Sequence, residues 1–345
     1  MIDLLVQAYD WQGSDVDDNY QLRIWGYDRK SNKVLLRIEN YKLCCRIELP
    51  SIVNGRNVKW NQESLKKYID WLKKNLGGNI PDEIYYRDYQ KLYYYKNSKT
   101  YPFLECFFKN EKSLLNCNRK LNGKSYNIEQ LGWIKSNVWE TSISNIHKFI
   151  TKYKLSYSKW LSAIGEEVPE LDKISKCDEY IVDCTNIMAV NSPESKKWIV
   201  YPDVVAIDIE TYSENHATMP NKYYVSDMIT QISVIFKKLD HPETLKKYLI
   251  VLGKCGPIPD AEVIECNHET ELIDEMCRLI NLLDPSVIIG YNIYRYDFPY
   301  MNARFDLYRK EWLNCSLLKY GHSKINENTW NSSAYGQVTI ATLQA

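Results

Sequence analysis

Three carboxylates at two places along the chain are the residues best suited to chemistry. Asp208-Ile-Glu210 sets two acids one residue apart, so on an extended strand both project from the same side. Asp297 lies far downstream in Arg-Tyr-Asp-Phe-Pro, where it opens a helix whose N-terminus favours an anion. Three carboxylates converging from two segments make a hard-oxygen site suited to Mg²⁺ or Mn²⁺. Two such ions about 3.5–4 Å apart can activate a water and stabilise the leaving 3′-oxygen of a phosphodiester. Uncompensated, grouped acids repel one another, so a metal accounts for their grouping better than a structural role. An Asp-x-Glu at a strand end or an acid at a helix cap is common; the combination carries the information.

Positioning such a site needs a sheet. Asp203–Asp208 reads as an apolar strand ending in a carboxylate, followed by strands at Ile229–Phe236 and Tyr248–Leu252. Asn267 then stands where it could cap a helix with Leu272, Met276, Leu279, Ile280 and Leu283 on one face, stopped by Asp284-Pro285. Val287–Gly290 is a buried strand, and Phe298–Leu313 reads as a helix with Pro299 in its first turn. Three strands in a meander, then a helical crossover to a strand parallel to the first, describe an RNase H-like sheet. In that topology the end of the first strand and the start of the last helix approach each other.

The preceding residues read differently. Val6–Trp11, Tyr20–Tyr27, Val34–Ile38 and Cys44–Leu49 are short β-prone runs. Leu65, Ile69, Leu72 and Leu76 then mark an amphipathic helix capped by Asn61 and ended by Gly77-Gly78. A Tyr-rich basic stretch runs from Ile84 to Lys99, with Tyr85, Tyr86, Tyr89, Tyr93, Tyr94 and Tyr95 among Arg87, Lys91 and Lys96. It suits either a stacking platform for single-stranded nucleic acid or, the favoured reading, a strand pair with half-buried tyrosines whose hydroxyls lie in water. Tyr101–Phe108 reads as a strand, with helices at Ser113–Leu121 and Ser144–Tyr153. Residues 165–176 read as an acidic loop around Pro169. The fold class is thus α+β or α/β: a β-rich domain over 1–200 and an RNase H-like domain over 201–345.

The formal net charge is zero, with 44 basic and 44 acidic groups, which argues against a polybasic nucleic-acid binder. The sum hides a dipole. Residues 51–160 carry 20 basic against 9 acidic groups, and 161–300 carry 12 against 24. A basic region for nucleic-acid contact and an acidic one for metal ligands fit that division, as do two differently charged solvated faces. The ten cysteines form no Cys-x-x-Cys pair, which leaves zinc ribbons and redox pairs unsupported and fits a reducing compartment. The first residues lack a basic signal-peptide region, and no apolar run approaches the roughly 20 residues that span a bilayer. The sequence therefore predicts a soluble intracellular chain without a membrane partner.

Val205-Ala-Ile-Asp-Ile-Glu-Thr-Tyr-Ser213 resembles the first exonuclease motif of family B DNA polymerases, and Ile288-Ile-Gly-Tyr-Asn-Ile-Tyr-Arg-Tyr-Asp-Phe-Pro-Tyr300 the second, with Tyr296 where the family usually has Phe. Gln7-Ala-Tyr-Asp-Trp11, Arg37-Ile-Glu-Asn-Tyr41 with Glu48-Leu-Pro50, and Val138-Trp-Glu140 leading to Phe149 and Trp160 are similar to the amino-terminal domain of delta-type enzymes. Ser332-Ser-Ala-Tyr-Gly336 is similar to polymerases of large nucleocytoplasmic DNA viruses.

The resemblance implies that Asp208, Glu210 and Asp297 are the catalytic and metal-binding residues of a 3′→5′ proofreading site. It places Asn292, Tyr296 and Thr211 against the substrate, with Asn292 holding the 3′-terminal nucleotide. The implied cofactor is Mg²⁺ or Mn²⁺, two ions in a complete site. The implied partners are the single-stranded 3′ end of DNA and the remaining polymerase chain, and the implied location is the cytoplasm of an infected cell. The family's third exonuclease motif, a late helix with Tyr-x-x-x-Asp, has no counterpart where it is expected; Tyr223 with Asp227 lies between the first two motifs and is read as coincidence. Palm, fingers and thumb have no counterpart either. Read as a whole chain, the sequence predicts no polymerase activity alone and a weak, truncated exonuclease site that another chain could complete. The alternatives are a non-catalytic module binding DNA or a polymerase through residues 51–160, a remnant of a split gene, and an unrelated RNase H-like nuclease.

Overall fold

The computed structural model describes residues 1–53, 55–91, 98–332 and 336–344. They divide into two compact units. The first is Met1–Arg29, Val34–Val168 and Glu179–Trp198; the second is Lys30–Lys33, Pro169–Asp178 and Ile199–Ala345. Two excursions from the first 200 residues thus belong to the second unit, which a division by sequence order does not anticipate.

The first unit runs β1 (Ile2–Val16), β2 (Asn19–Tyr27), β3 (Lys33–Glu39), β4 (Leu43–Glu48), β5 (Ile52–Val53), β6 (Arg56–Asn57), α1 (Gln62–Leu76), β7 (Glu83–Gln90), β8 (Thr100–Phe108), α2 (Glu111–Leu121), β9 (Lys124–Ile128), β10 (Gly132–Trp139), α3 (Asn145–Lys152), β11 (Trp160–Glu167) and β12 (Asp178–Ala189). The order β1-β11-β12-β3-β2 closes a barrel, and β7-β8-β4-β10-β9 forms a second sheet. Helix α1 begins where Asn61 accepts from the Ser64 amide at 2.9 Å while the Ser64 hydroxyl accepts from the Asn61 amide at 2.9 Å. That reciprocal cap satisfies two otherwise orphaned donors. It ends at Gly77, whose φ of 60° suits glycine.

The barrel strands β11 and β12 escape the sequence reading, as does the β9–β10 hairpin. The segment read as a loop from 165 onward begins inside β11. Part of the tyrosine stretch is β7, an edge strand. There Tyr85 and Tyr89 pack edge-on against Phe107 and Phe103, with centroids 6.0 Å apart in each pair. Their hydroxyls donate to Glu83 and Glu105, and Arg87 pairs with Glu105 at 3.1 Å. The strand reading holds for this part, but only Tyr89 is half-buried: Tyr85 and Tyr86 are exposed, and the hydroxyls sit on carboxylates rather than in water; Tyr93, Tyr94, Tyr95 and Lys96 lie outside the described residues.

The second unit contains β13 (Asp203–Thr211), β14 (Ile229–Lys238), β15 (His241–Leu252), β16 (Glu262–Cys266), α4 (Glu269–Leu283), β17 (Val287–Ile289), α5 (Asp297–Leu307) and a hairpin of β18 (Lys324–Ser332) with β19 (Gly336–Gln344). The order is β16-β15-β14-β13-β17. Strands β13, β14 and β15 form the expected antiparallel meander, and β17 lies parallel to β13 with Val204 opposite Val287. Strand β16, parallel to β15, is an addition to the expected order. Val205, Ile207 and Ile209 of β13 share a buried core with Leu272, Met276 and Ile280 of α4. The opposite face carries Asp208 and Glu210, and there Ile235 and Ile289 are 41% and 49% exposed.

Several helix ends differ from expectation, α2 starting at Glu111 rather than Ser113 among them, and two of the differences have a visible cause. Helix α4 is capped at His268 rather than Asn267, with the Glu271 carboxylate reaching back to the Asn267 and His268 amides at 2.8 and 3.4 Å. Helix α5 stops at Leu307 instead of Leu313. Arg309 takes a left-handed φ of 54° and the Lys310 amide donates to the Phe305 carbonyl at 2.9 Å, a chain reversal made without glycine.

Candidate active site

The strand carrying the first two carboxylates runs past its neighbour. Val204, Val205 and Ala206 pair with β17, which ends at Ile289, so residues from Ile207 onward have no partner strand on that side. A backbone N–H left there needs an acceptor. The chain supplies one from the start of α5: the Ile209 amide donates to Asp297 Oδ1 at 3.2 Å. Asp297 is 2% exposed, and its carboxyl sits directly beside the backbone between Asp208 and Glu210. Burial pushes the Asp297 pKa up, the hydrogen bonds to its carboxylate pull it down, and the negative charge of Asp208 adds to the rise. Asp208 and Glu210 are exposed, side by side on the outer strand face.

The turn leading to Asp297 is built by two small concessions. A Cβ on Gly290 would lie 2.7 Å from the Ile207 carbonyl oxygen, so only glycine lets the chain leave β17 this close to β13. Asn292 adopts a left-handed φ of 56°, which asparagine tolerates, and its carbonyl accepts the Arg295 and Tyr296 amides at 2.9 and 3.0 Å. Its side chain is exposed. Tyr296 and Thr211 share a hydroxyl hydrogen bond of 2.7 Å, which ties the residue before Asp297 to the residue after Glu210. A β-bulge between Glu210 and Thr211 turns the strand at that point.

Asp208, Glu210, Asp297, Thr211 and Tyr296 therefore meet at one end of β13, with Asn292 in the turn leading to it. The donor set is hard oxygen, and the mutual charge of Asp208 and Asp297 is what a divalent cation would relieve. Among the described residues, however, no three His, Cys, Asp or Glu side chains form a group able to hold a metal ion. The donors are hard oxygens of the kind a divalent cation takes, and Asp208 lies close enough for its charge to raise the Asp297 pKa. Asp227, in the one Tyr-x-x-x-Asp spacing, accepts the Asn221 amide at 2.7 Å and the Ser226 hydroxyl at 3.0 Å, closing its own loop.

Sequence reasoning missed the groups under the site. Arg304 is fully buried in α5 and grips Glu269 of α4 through two bonds, of 2.7 and 2.8 Å. Tyr300 donates to the Asp227 carbonyl at 2.8 Å. The signal was present: Asp297, Tyr300 and Arg304 repeat at i, i+3 and i+7, a polar stripe on one face of the helix.

Comparison with known proteins agrees with this geometry. The profile described as DNA polymerase family B, exonuclease domain, matches residues 136–343, more than half of the chain. DNA polymerase 037L of Invertebrate iridescent virus 6 is 30% identical over 96% of this chain and 29% of its own length. DNA polymerase 120R of Invertebrate iridescent virus 3 is 28% identical over 95% of this chain and 30% of its own length. The DNA polymerase delta catalytic subunit of Caenorhabditis elegans is 22% identical over 87% of the chain. The chain thus spans about three-tenths of the length of these viral relatives. In fold it is similar to the family B DNA polymerase of Pyrobaculum calidifontis, with a TM-score of 0.63 at 14% identity over 97% of this chain and 35% of that one. A profile match over most of the chain, on a sheet whose two motif segments converge, has one reading: the chain belongs to the family B DNA polymerases and contains their exonuclease-domain region.

Proposed function

We propose that the end of β13 is a metal-dependent 3′→5′ exonuclease site acting on single-stranded DNA. The observation that carries this reading is the bond from the Ile209 amide to Asp297, which brings the two motif segments to within a carboxylate's reach of each other. Asp208, Glu210 and Asp297 would hold the cation, Mg²⁺ or Mn²⁺, as one ion or a pair. Bound there, such ions activate a water and stabilise the leaving 3′-oxygen. The protein's own part is positional: Ile209 orients the Asp297 carboxylate, and the Tyr296–Thr211 bond braces the strand end. Asn292, exposed in the turn, would contact the terminal nucleotide. Eight of the ten free thiols are buried, which suits a reducing compartment, and the reading extends to the cytoplasm of an infected cell as the place of action.

The test is digestion of a 5′-labelled single-stranded oligonucleotide by the 345-residue chain with Mg²⁺ or Mn²⁺. Products should shorten from the 3′ end, stop with chelator, and fall at least about a hundredfold with Asp208→Ala or Asp297→Ala. Digestion that survives both substitutions sinks the proposal. A second reading, DNA binding without hydrolysis, is favoured by the basic balance of residues 51–160, with 20 Lys and Arg against 9 Asp and Glu. It predicts salt-sensitive binding indifferent to Asp208→Ala and no shortened product.

A further inference from the structure

We infer that Arg304 and Glu269 are positioning residues for the site, a buried clamp that holds the β13–β14 loop and the start of α5 in one frame. The inference rests on the exonuclease reading for its catalytic consequence, and on geometry alone for its mechanical one.

The guanidinium of Arg304 is fully buried and spends its donors in two directions. Toward α4, Nε and Nη2 meet the two oxygens of Glu269 at 2.7 and 2.8 Å, a fork-to-fork pairing that only arginine can make. Toward the loop, Nη1 donates to the carbonyls of Lys222 and Tyr224, and Nη2 to that of Val225 at 3.2 Å. Glu269 also accepts the Ile229 amide at 2.8 Å and the Tyr308 hydroxyl at 2.9 Å. Ile229 is the residue paired with Thr211, next to Glu210. On the other side, Arg304 stands two helical turns after Asp297 on the same face of α5. One ion pair therefore reaches both segments of the site: the end of β13 through Ile229, paired with Thr211, and Asp297 through the helix.

A stability role alone would not need this layout. A buried pair of this kind can often be replaced by apolar residues with little loss of stability. Such a replacement would leave three loop carbonyls and the Ile229 amide without their side-chain partners. The cost of the replacement therefore falls on the β13–β14 loop, where four backbone groups lose those partners.

The experiment compares wild type, Arg304→Lys, and the double variant Arg304→Met with Glu269→Leu, each as the full chain. Amide hydrogen exchange is read at Tyr224, Asp227 and Ile229, with α4 amides as internal control, each protein held equally far below its own Tm. Exchange at the loop amides should rise at least about tenfold in the double variant and less in Arg304→Lys, with α4 unchanged. In the same proteins, 3′ digestion should fall about tenfold in kcat with KM unchanged. Loop exchange that stays at the wild-type rate in the double variant overturns the clamp. If Arg304→Met with Glu269→Leu does not fold, Arg304→Lys decides by the same exchange readout. A wild type that does not digest DNA overturns the exonuclease reading while the exchange result still judges the clamp.

Discussion

The chemistry of this site turns on one buried carboxylate. Asp297 is held against the backbone of β13, where burial and Asp208 both favour its protonated form. A carboxyl whose pKa is raised on folding stabilises the fold when protonated. That contribution is complete below the ordinary carboxylate range and is lost as pH rises through the raised value. Asp297→Asn keeps an oxygen to accept the Ile209 amide and removes the charge. The variant should match wild type in acid and become the more stable protein as the pH climbs above the carboxylate range. Urea denaturation across pH checks this; a difference that is flat with pH, or of opposite sign, refutes it. The same residue shows how much was legible. The three acids were found by type and spacing, since alternation puts positions 208 and 210 on one face whatever surrounds them. That Asp297 would cap Ile209 was not legible, because it depends on where β17 stops.

At the scale of elements, the second unit is a meander plus one crossover, and the crossover is where precision is needed. Gly290 lies against the Ile207 carbonyl with no room for a methyl group. Gly290→Ala should cost about 1–3 kcal/mol by forcing the chain away from β13. It should also lower digestion more than it lowers stability at the assay temperature, since it shifts the turn carrying Asn292 and Asp297. Chemical denaturation alongside the nuclease assay measures both, and an alanine variant as stable as wild type contradicts the close approach. Elements with a strong local signal were readable: α1 by its cap and Gly77, α4 by its apolar face, β13 by its run of Val and Ile. Strands β11, β12 and β16 were not, because they mix polar and apolar residues and acquire their pattern from the partners they pair with. The end of α5 was missed for a similar reason, as Arg309 adopts a conformation that usually advertises itself with glycine.

At the scale of the molecule, the two units are assembled from interleaved stretches of chain. The excursion Pro169–Asp178 joins the second unit through the Lys176 amide to the Leu317 carbonyl and the Lys319 amide to the Ile174 carbonyl, both 2.9 Å. Glu170 bridges Lys319 at 2.7 Å and Lys173 at 2.9 Å, and those two ammonium groups pull its pKa from 4.5 to about 2. A carboxylate with a lowered pKa stabilises the fold above its ordinary value and loses that contribution as pH falls through the lowered one. The Tm gap between wild type and Glu170→Gln should therefore be constant above about pH 5 and close between the ordinary value and about 2. Calorimetry over that range tests it; a gap that persists below pH 2 would mean that Glu170 acts through something other than its charge. The zero net charge belongs to this scale as well, since it is the sum of a basic stretch at 51–160 and an acidic one at 161–300.

What the sequence by itself determined is local: alternation set the carboxylates on one strand face, caps and glycines set most helix ends, and the two motifs identified the family. These follow from backbone periodicity and side-chain type, which act over a few residues. The tertiary structure decided which distant groups meet. It paired Ile209 with Asp297, Arg304 with Glu269, and residues 30–33 and 169–178 with the second unit. Those choices are made by unpaired donors and buried charges finding the acceptors that folding brings near, and no local pattern records where those partners are.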